Sequence, residues 1–361
     1  KKRASFKPLI VIAIYLCAVR VYVEPAQVDF PEDGLTVSEV ESHLRFLASD
    51  ELMGRKPGTY GADIAARYIA EQFRAAKLKT FAESSDYFQM VHLVLPNKSE
   101  SETNDSKVES VVSKNVIGFI EGRDSGMKDE FVILCAHYDH LGAGRFKGST
   151  DTDMIFNGAR DNGMGTVALI CAAKAFALEP SARPVVFIAF TGEEDGCLGS
   201  RYFVENPLLP LDKIAFVLNN DGGGFNDTDL IRIAGLERYS LKKTVMEAVN
   251  KYELSVLPYP SELQYLYELS DNMPFMRKGV PAITVSPGFD KIDDEILKYI
   301  HTVKDEADDT FNYSYLLKFT RAYISIARAI ADRPYRFQSC SEVRKKKQND
   351  SGTKKLSLNY R

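Results

Sequence analysis

Three short runs in this chain, residues 131–136, 185–190 and 214–219, are apolar at nearly every position. A strand with one wet face alternates apolar and polar residues, whereas a strand covered on both faces reads as a continuous apolar run. Such runs therefore demand a sheet with helices packed on both sides. The rest of the sequence supplies them. Residues 35–48 read as a helix opened by Thr36 or Ser38 and broken by Ser49, Asp50 and Glu51. Residues 59–78 carry Ala62, Ala65, Ile69 and Phe73 at helical spacing. Further helices are predicted over 164–178, 197–205, 239–252, 271–278 and 309–332, and further strands over 115–121, 230–234 and 282–285. The expectation is an α/β fold: a single globular domain with a mixed, mostly parallel central sheet and helices on both faces.

The ends read differently. Lys1, Lys2 and Arg3 precede an apolar run over residues 9–19, the pattern of a secretory signal. The run is short for a membrane span, which needs roughly 20 residues. Residues 1–26 are thus expected to be a signal peptide or N-terminal anchor, residues 27–338 the folded body, and residues 339–361 a basic, disordered tail. Localisation follows as secreted or periplasmic, with membrane attachment only if the N-terminal segment stays uncleaved. The last eighteen residues hold seven basic side chains and one acid, yet the whole chain has net charge −4, so the body between the ends is strongly acidic. That argues against a nucleic-acid partner, which selects a basic face. The five cysteines form no C-x-x-C pair, which argues against a cysteine-bound zinc or a thioredoxin-like motif.

Five segments are rich in His, Asp or Glu, and three of them directly follow a predicted strand. In α/β sheets, ligands bind beyond the carboxyl ends of strands. The segments are His137-Tyr138-Asp139-His140, Gly158-Ala159-Arg160-Asp161-Asn162-Gly163, Gly192-Glu193-Glu194-Asp195-Gly196, Asn219-Asn220-Asp221 and His301-Thr302-Val303-Lys304-Asp305. Each has an ordinary alternative: a strand end, a helix cap by Asp161 or Asn162, a solvated acidic turn, a glycine-rich turn, a surface histidine. Together they weigh more. The chain has five histidines, three fall in these segments, and the other segments add carboxylates. A few histidines among several carboxylates suit a borderline cation such as zinc, and the donors exceed what one catalytic zinc needs. That points to a two-metal site.

In this order and spacing, the five segments resemble the co-catalytic di-zinc aminopeptidases of metallopeptidase family 28, the bacterial leucyl aminopeptidase and aminopeptidase Y relatives. Leu44 to Thr59 also resembles the start of their catalytic domain. The resemblance implies two zinc ions per chain. His137 and Asp221 would hold one, Glu194 and His301 the other, and Asp161 would bridge them. Glu193 would be the general base. Asp139 would support His137, and Asp305 would act similarly near His301. Tyr267, which precedes Ser270-Asp271, would stabilise the oxyanion, with Tyr265 close by. The implied substrates are peptides with a free N-terminus. Arg160, Asn272 and Val303 depart from the family's common residues; none is a proposed ligand, and Arg160 bears on specificity through the local field. The competing readings are a glutaminyl-cyclase-like or carboxypeptidase-type zinc enzyme, and a non-catalytic binding ectodomain. Aromatic residues between Tyr259 and Tyr267, with Phe289, are candidate pocket walls. Zinc, cobalt and manganese all remain open as the native metal.

Overall fold

The computed structural model describes residues 34–81, 86–95, 109–144 and 152–334. The predicted signal or anchor segment and the predicted basic tail lie outside the described residues.

The described residues form ten strands: β1 (Phe88–Leu95), β2 (Glu109–Ile120), β3 (Phe131–His137), β4 (Gly142–Ala143), β5 (Ile155–Phe156), β6 (Val185–Phe190), β7 (Ile214–Asn220), β8 (Leu230–Ala234), β9 (Ser255–Pro258) and β10 (Ala282–Pro287). Eight form one sheet in the order β1-β2-β6-β3-β7-β10-β8-β9, and β4 pairs with β5 separately. The four central strands β6, β3, β7 and β10 run parallel, while β1, β2 and β8 join antiparallel to their inner neighbours. The expected mixed, mostly parallel centre is therefore observed. The edge strands β1 and β9 are additions to the sequence reading. In β1, buried Val91, Leu93 and Leu95 alternate with exposed Met90, His92 and Val94, a pattern that can be read from the sequence.

The helices are α1 (Val37–Leu47), α2 (Tyr60–Ala75), α3 (Met164–Leu178), α4 (Leu198–Glu205), α5 (Lys242–Val249), α6 (Asn272–Arg277), α7 (Asp294–Leu297) and α8 (Tyr313–Ala331). Thr36 caps α1 by accepting from the Glu39 N–H at 3.2 Å, and Thr59 caps α2 by accepting from Ala62. The two faces of β3 show why its sequence has no polar alternation. Val132, Leu134 and Ala136 join one core with residues of α1, α2, α3 and α8, while Ile133 and Cys135 join a second core with Phe203 of α4 and Phe275 of α6. Among the described residues, no helix is long and apolar enough to cross a membrane. The described cysteines Cys135, Cys171 and Cys197 are buried.

Parallel strands end on the same side, so the chain segments that leave β3, β6 and β7 meet there. Those are three of the five segments rich in His, Asp and Glu. Arg55 fastens this end. Its guanidinium is buried and donates to the carbonyls of Tyr138 at 2.7 Å and Gly158 at 2.9 Å, and also to Leu47 and Asn157. It ties the turn after β3 to the turn that leads into α3.

Candidate metal centre

His137 is the last residue of β3 and is buried. Its Nδ1 lies 3.2 Å from the Asp139 carbonyl, and its Nε2 lies 3.2 Å from Asp221 Oδ1 and 3.4 Å from Asp161 Oδ1. The Asp139 carboxylate stands 3.8 Å from Nδ1, beyond hydrogen-bond reach, and instead accepts from the Glu193 N–H at 3.2 Å. Asp139 thus supports His137 through its backbone and the Glu193 turn through its side chain. Asp221 follows β7, and its Oδ2 accepts from Ser270, which in turn accepts from Asn219 Nδ2 at 2.7 Å.

Asp161 sits in the turn between Gly158 and α3, with a cis peptide bond to Asn162. Gly158 has φ +60°, and a Cβ there would come within 2.4 Å of the Asp161 carbonyl oxygen and 2.6 Å of His140 Cγ. Only glycine fits. Asn162 does cap, accepting from Gly165 N–H at 3.2 Å, and its amide donates to the Asn220 carbonyl at 2.8 Å. The cap is made by Asn162, and the adjacent Asp161 turns its carboxylate to His137 and His301.

Glu194 and His301 complete the cluster. His301 Nε2 lies 3.1 Å from Asp161 Oδ2 and 3.2 Å from Glu194 Oε2. His301 is half exposed and has φ +55°, in the left-handed region. Asp305 does not hold His301. It accepts from the backbone N–H groups of Arg160 and Asp161 at 2.9 and 3.0 Å, and from Arg160 Nη1 at 3.2 Å. The sequence expectation is corrected here: Asp305 braces the Asp161 turn, because two successive N–H groups of that turn point at it. Arg160 is spent on Asp305 and on the ring of Tyr299, 3.6 Å below its guanidinium carbon.

The structure brings His137, Asp161, Glu194, Asp221 and His301 together, with Glu193 beside them. It does not bring Tyr267. That ring is packed among Ala234, Tyr259, Phe289 and Ile296, and its hydroxyl donates to the Ala282 carbonyl at 2.7 Å. Ala282 begins β10, whereas the cluster lies beyond the other end of the parallel strands. The Tyr259 hydroxyl lies nearer the cluster, 2.5 Å from Ser286 Oγ, which donates to the Asp221 carbonyl.

Sequence reasoning gave no role to His140, Ser270 or Arg55. His140 is fully buried with Nδ1 2.7 Å from Glu194 Oε1. Its signal was its place in the His137-Tyr138-Asp139-His140 segment. Ser270 lies in the Ser270-Asp271 pair and Arg55 in the Leu44–Thr59 segment, but neither position tells in sequence which group its side chain holds.

The charges of the cluster compensate one another. Burial disfavours the Glu194 and Asp161 carboxylates, but hydrogen bonds from His140 and His301 pull Glu194 to about 2, and those from His137 and His301 pull Asp161 well below the usual range. The same two carboxylates raise His301 to about 11. Burial raises Glu193 well above the usual range, with Asp221, Asp271 and Glu194 adding to the rise against His137. Asp271 is pushed to about 7, chiefly by burial.

Donors from His137, Asp161 and Asp221 lie within 4.8 Å of one another, and so do donors from His140, Asp161 and Glu194. Donors around a tetrahedral zinc sit about 3.3 Å apart for bonds of about 2.0–2.1 Å. The four pairs made by His137 and His301 with the carboxylates, at 3.1–3.4 Å, match that spacing. The donors suit zinc, with Asp161 common to both groups; beside Glu194, His301 stands at the ligand-pair spacing and His140 closer, at 2.7 Å.

The fold is α/β, and the cluster gathers side chains that suit a metal ion. The model of peptidase family M28 matches residues 115–327, and the chain belongs to that family. It is 30% identical to the vacuolar membrane protease of Eremothecium gossypii over 146 residues, 40% of this chain and 13% of that protein. It is 26% identical to aminopeptidase YwaD of Bacillus subtilis over 204 residues, 54% of this chain and 40% of that one. The chain thus spans less than half the length of these two relatives. A probable leucine aminopeptidase of Trichophyton verrucosum is 25% identical over 326 residues, 87% of this chain and 80% of that one. Among solved structures, BSAP, a zinc aminopeptidase from Bacillus subtilis, superposes with TM-score 0.61 at 17% identity, over 84% of this chain and 97% of that one. At that identity the likeness is one of fold.

Proposed function

We propose that this protein is a zinc-dependent aminopeptidase that removes N-terminal residues from peptides. The observation that carries the reading is the pair of donor sets, His137 with Asp221 and Glu194 with His301, joined by Asp161. Two zinc ions held there would supply an acidified water and polarise the scissile carbonyl. His137 presents Nε2 to the site because its Nδ1 faces the Asp139 carbonyl. Glu193 takes a proton from the attacking water and returns it to the leaving amine. The substrate's free α-amine would be held by the cluster carboxylates, which favours cleavage next to a free terminus. The relatives named as aminopeptidases support this reading, as does the presence of every residue the family resemblance assigns to metal or base. The same presence disfavours a non-catalytic ectodomain. Export to an extracytoplasmic compartment, through residues 1–26, belongs to the same proposal.

The test is metal content together with hydrolysis of aminoacyl substrates with free and blocked N-termini, for the wild type and Glu193→Gln. The expected result is about two zinc ions per chain in both. Activity should be confined to free N-termini and fall by roughly 10²–10⁴-fold in the variant. Bound metal without activity on any peptide would overturn the aminopeptidase reading; activity on blocked peptides alone would favour the carboxypeptidase-type alternative.

A further inference from the structure

His140 lies three residues beyond His137 and is completely enclosed. Its ring lies against the backbone of Gly158, and its edge meets the His301 ring with centroids 5.8 Å apart. Nδ1 is 2.7 Å from Glu194 Oε1, while Nε2 is buried without a hydrogen-bond partner. Such an imidazole has two possible roles beside a metal: ligand, or donor to a ligand.

The distances decide between them. The histidine–carboxylate pairs of the proposed ligand set are 3.1–3.4 Å apart, the spacing of donors that share an ion. The His140–Glu194 pair is shorter, at a hydrogen-bond length, and uses Oε1. Oε2 is the oxygen that faces His301. A carboxylate oxygen only accepts, so Nδ1 carries the proton; in the neutral ring Nε2 is then a bare acceptor with no proton to place. The other half of the site repeats the arrangement. Asp221 turns Oδ1 toward His137 and takes a hydrogen bond from Ser270 on Oδ2.

We infer that His140 is a positioning residue for the second metal: its Nδ1–H holds Oε1 of Glu194 and so aims Oε2 at the site shared with His301 and Asp161. This rests on the two-metal reading above. Hydrogen-bond partners of metal ligands typically contribute 10–100-fold in metal affinity.

The test compares two uncharged variants of the full chain. In His140→Asn the amide nitrogen falls near the place of Nδ1, so the donor is kept; in His140→Gln it falls near the place of Nε2, so the donor to Glu194 is lost. Metal-free protein is titrated with Zn²⁺ by calorimetry and with Co²⁺ by visible absorption. The expected result is two binding steps in the wild type and in His140→Asn. In His140→Gln one step is weakened by about 10–100-fold with a changed cobalt spectrum, and the other is unchanged. Two wild-type steps in His140→Gln, or equal losses in both variants, would overturn the assignment. If His140→Gln does not fold, His140→Asn decides alone: two retained steps support the assignment, and one step weakened tenfold or more overturns it. A wild type that binds no metal would overturn the two-metal reading itself, and the role of His140 with it.

Discussion

The two halves of the proposed metal centre are built from different materials. His137 and Asp221 stand at the ends of neighbouring parallel strands, and His137 is buried while its backbone carbonyl accepts from Thr166 of α3 at 2.8 Å. Glu194 and His301 come from a turn and a loop, and His301 is half exposed. The first half inherits its geometry from backbone pairing in the sheet. The second half depends on side chains, His140 for Glu194 and the left-handed turn for His301. Asp161 belongs to both and is braced separately, by Asp305 and by the Arg55 clamp on Gly158. A loop-built half is easier to displace, so under graded chelation the second half should release its metal first.

The largest expected effect comes from the residue that the halves share. Asp161→Ala should lose both metals and reduce activity by about 10³-fold or more, read by metal analysis and substrate turnover. Retention of one tightly bound ion would mean the halves are independent. Next is Arg55→Met, which leaves four carbonyls short of a buried donor and should cost about 3–5 kcal/mol of stability, measured by denaturant unfolding. A loss under 1 kcal/mol would show that the clamp is dispensable.

Ser270→Ala sharpens the comparison from the other side. It removes the donor to Asp221 and should weaken one zinc step by about tenfold. Because strands hold this half, the loss should be smaller than that from His140→Gln, and an equal or larger loss would break the contrast. The smallest effect concerns pH. Asp271 has one oxygen on Ser200 and the other buried without a partner, and its folded value is about 7. Between pH 4 and 7 the folded, metal-free chain keeps a proton that the unfolded chain gives up. Stability should therefore fall as pH rises through that window, by up to about 1.4 kcal/mol per pH unit for this group. Asp139 is raised to about 7 as well, so Asp271→Asn should reduce the slope rather than abolish it. An unchanged slope in unfolding experiments would exclude Asp271 as its source.

Much of the fold can be read from the sequence because burial on both faces leaves a pattern one strand long. The runs at β3, β6 and β7 announce the central sheet, and the caps Thr36 and Thr59 announce two helices. β9 is short and lies at an edge, where little burial marks it. Helix α5 is shorter than its predicted span, with Asn250–Tyr252 continuing as a 3-10 turn, since terminal turns carry little apolar signal.

By itself the sequence determined the α/β class, through its continuous apolar runs, and it marked the segments where rare histidines and clustered carboxylates follow strands; the five proposed ligands within them came from the family resemblance. It could not determine which side chains hold those ligands. Only the tertiary structure assigned Oε1 of Glu194 to His140, Oδ2 of Asp221 to Ser270, and the Asp161 turn to Asp305, and only it placed the Tyr267 hydroxyl at the start of β10. The physical reason is range. The kinds of donor follow from residue chemistry, whereas a hydrogen bond is decided within a few tenths of an ångström by chain segments 49 to 144 positions apart.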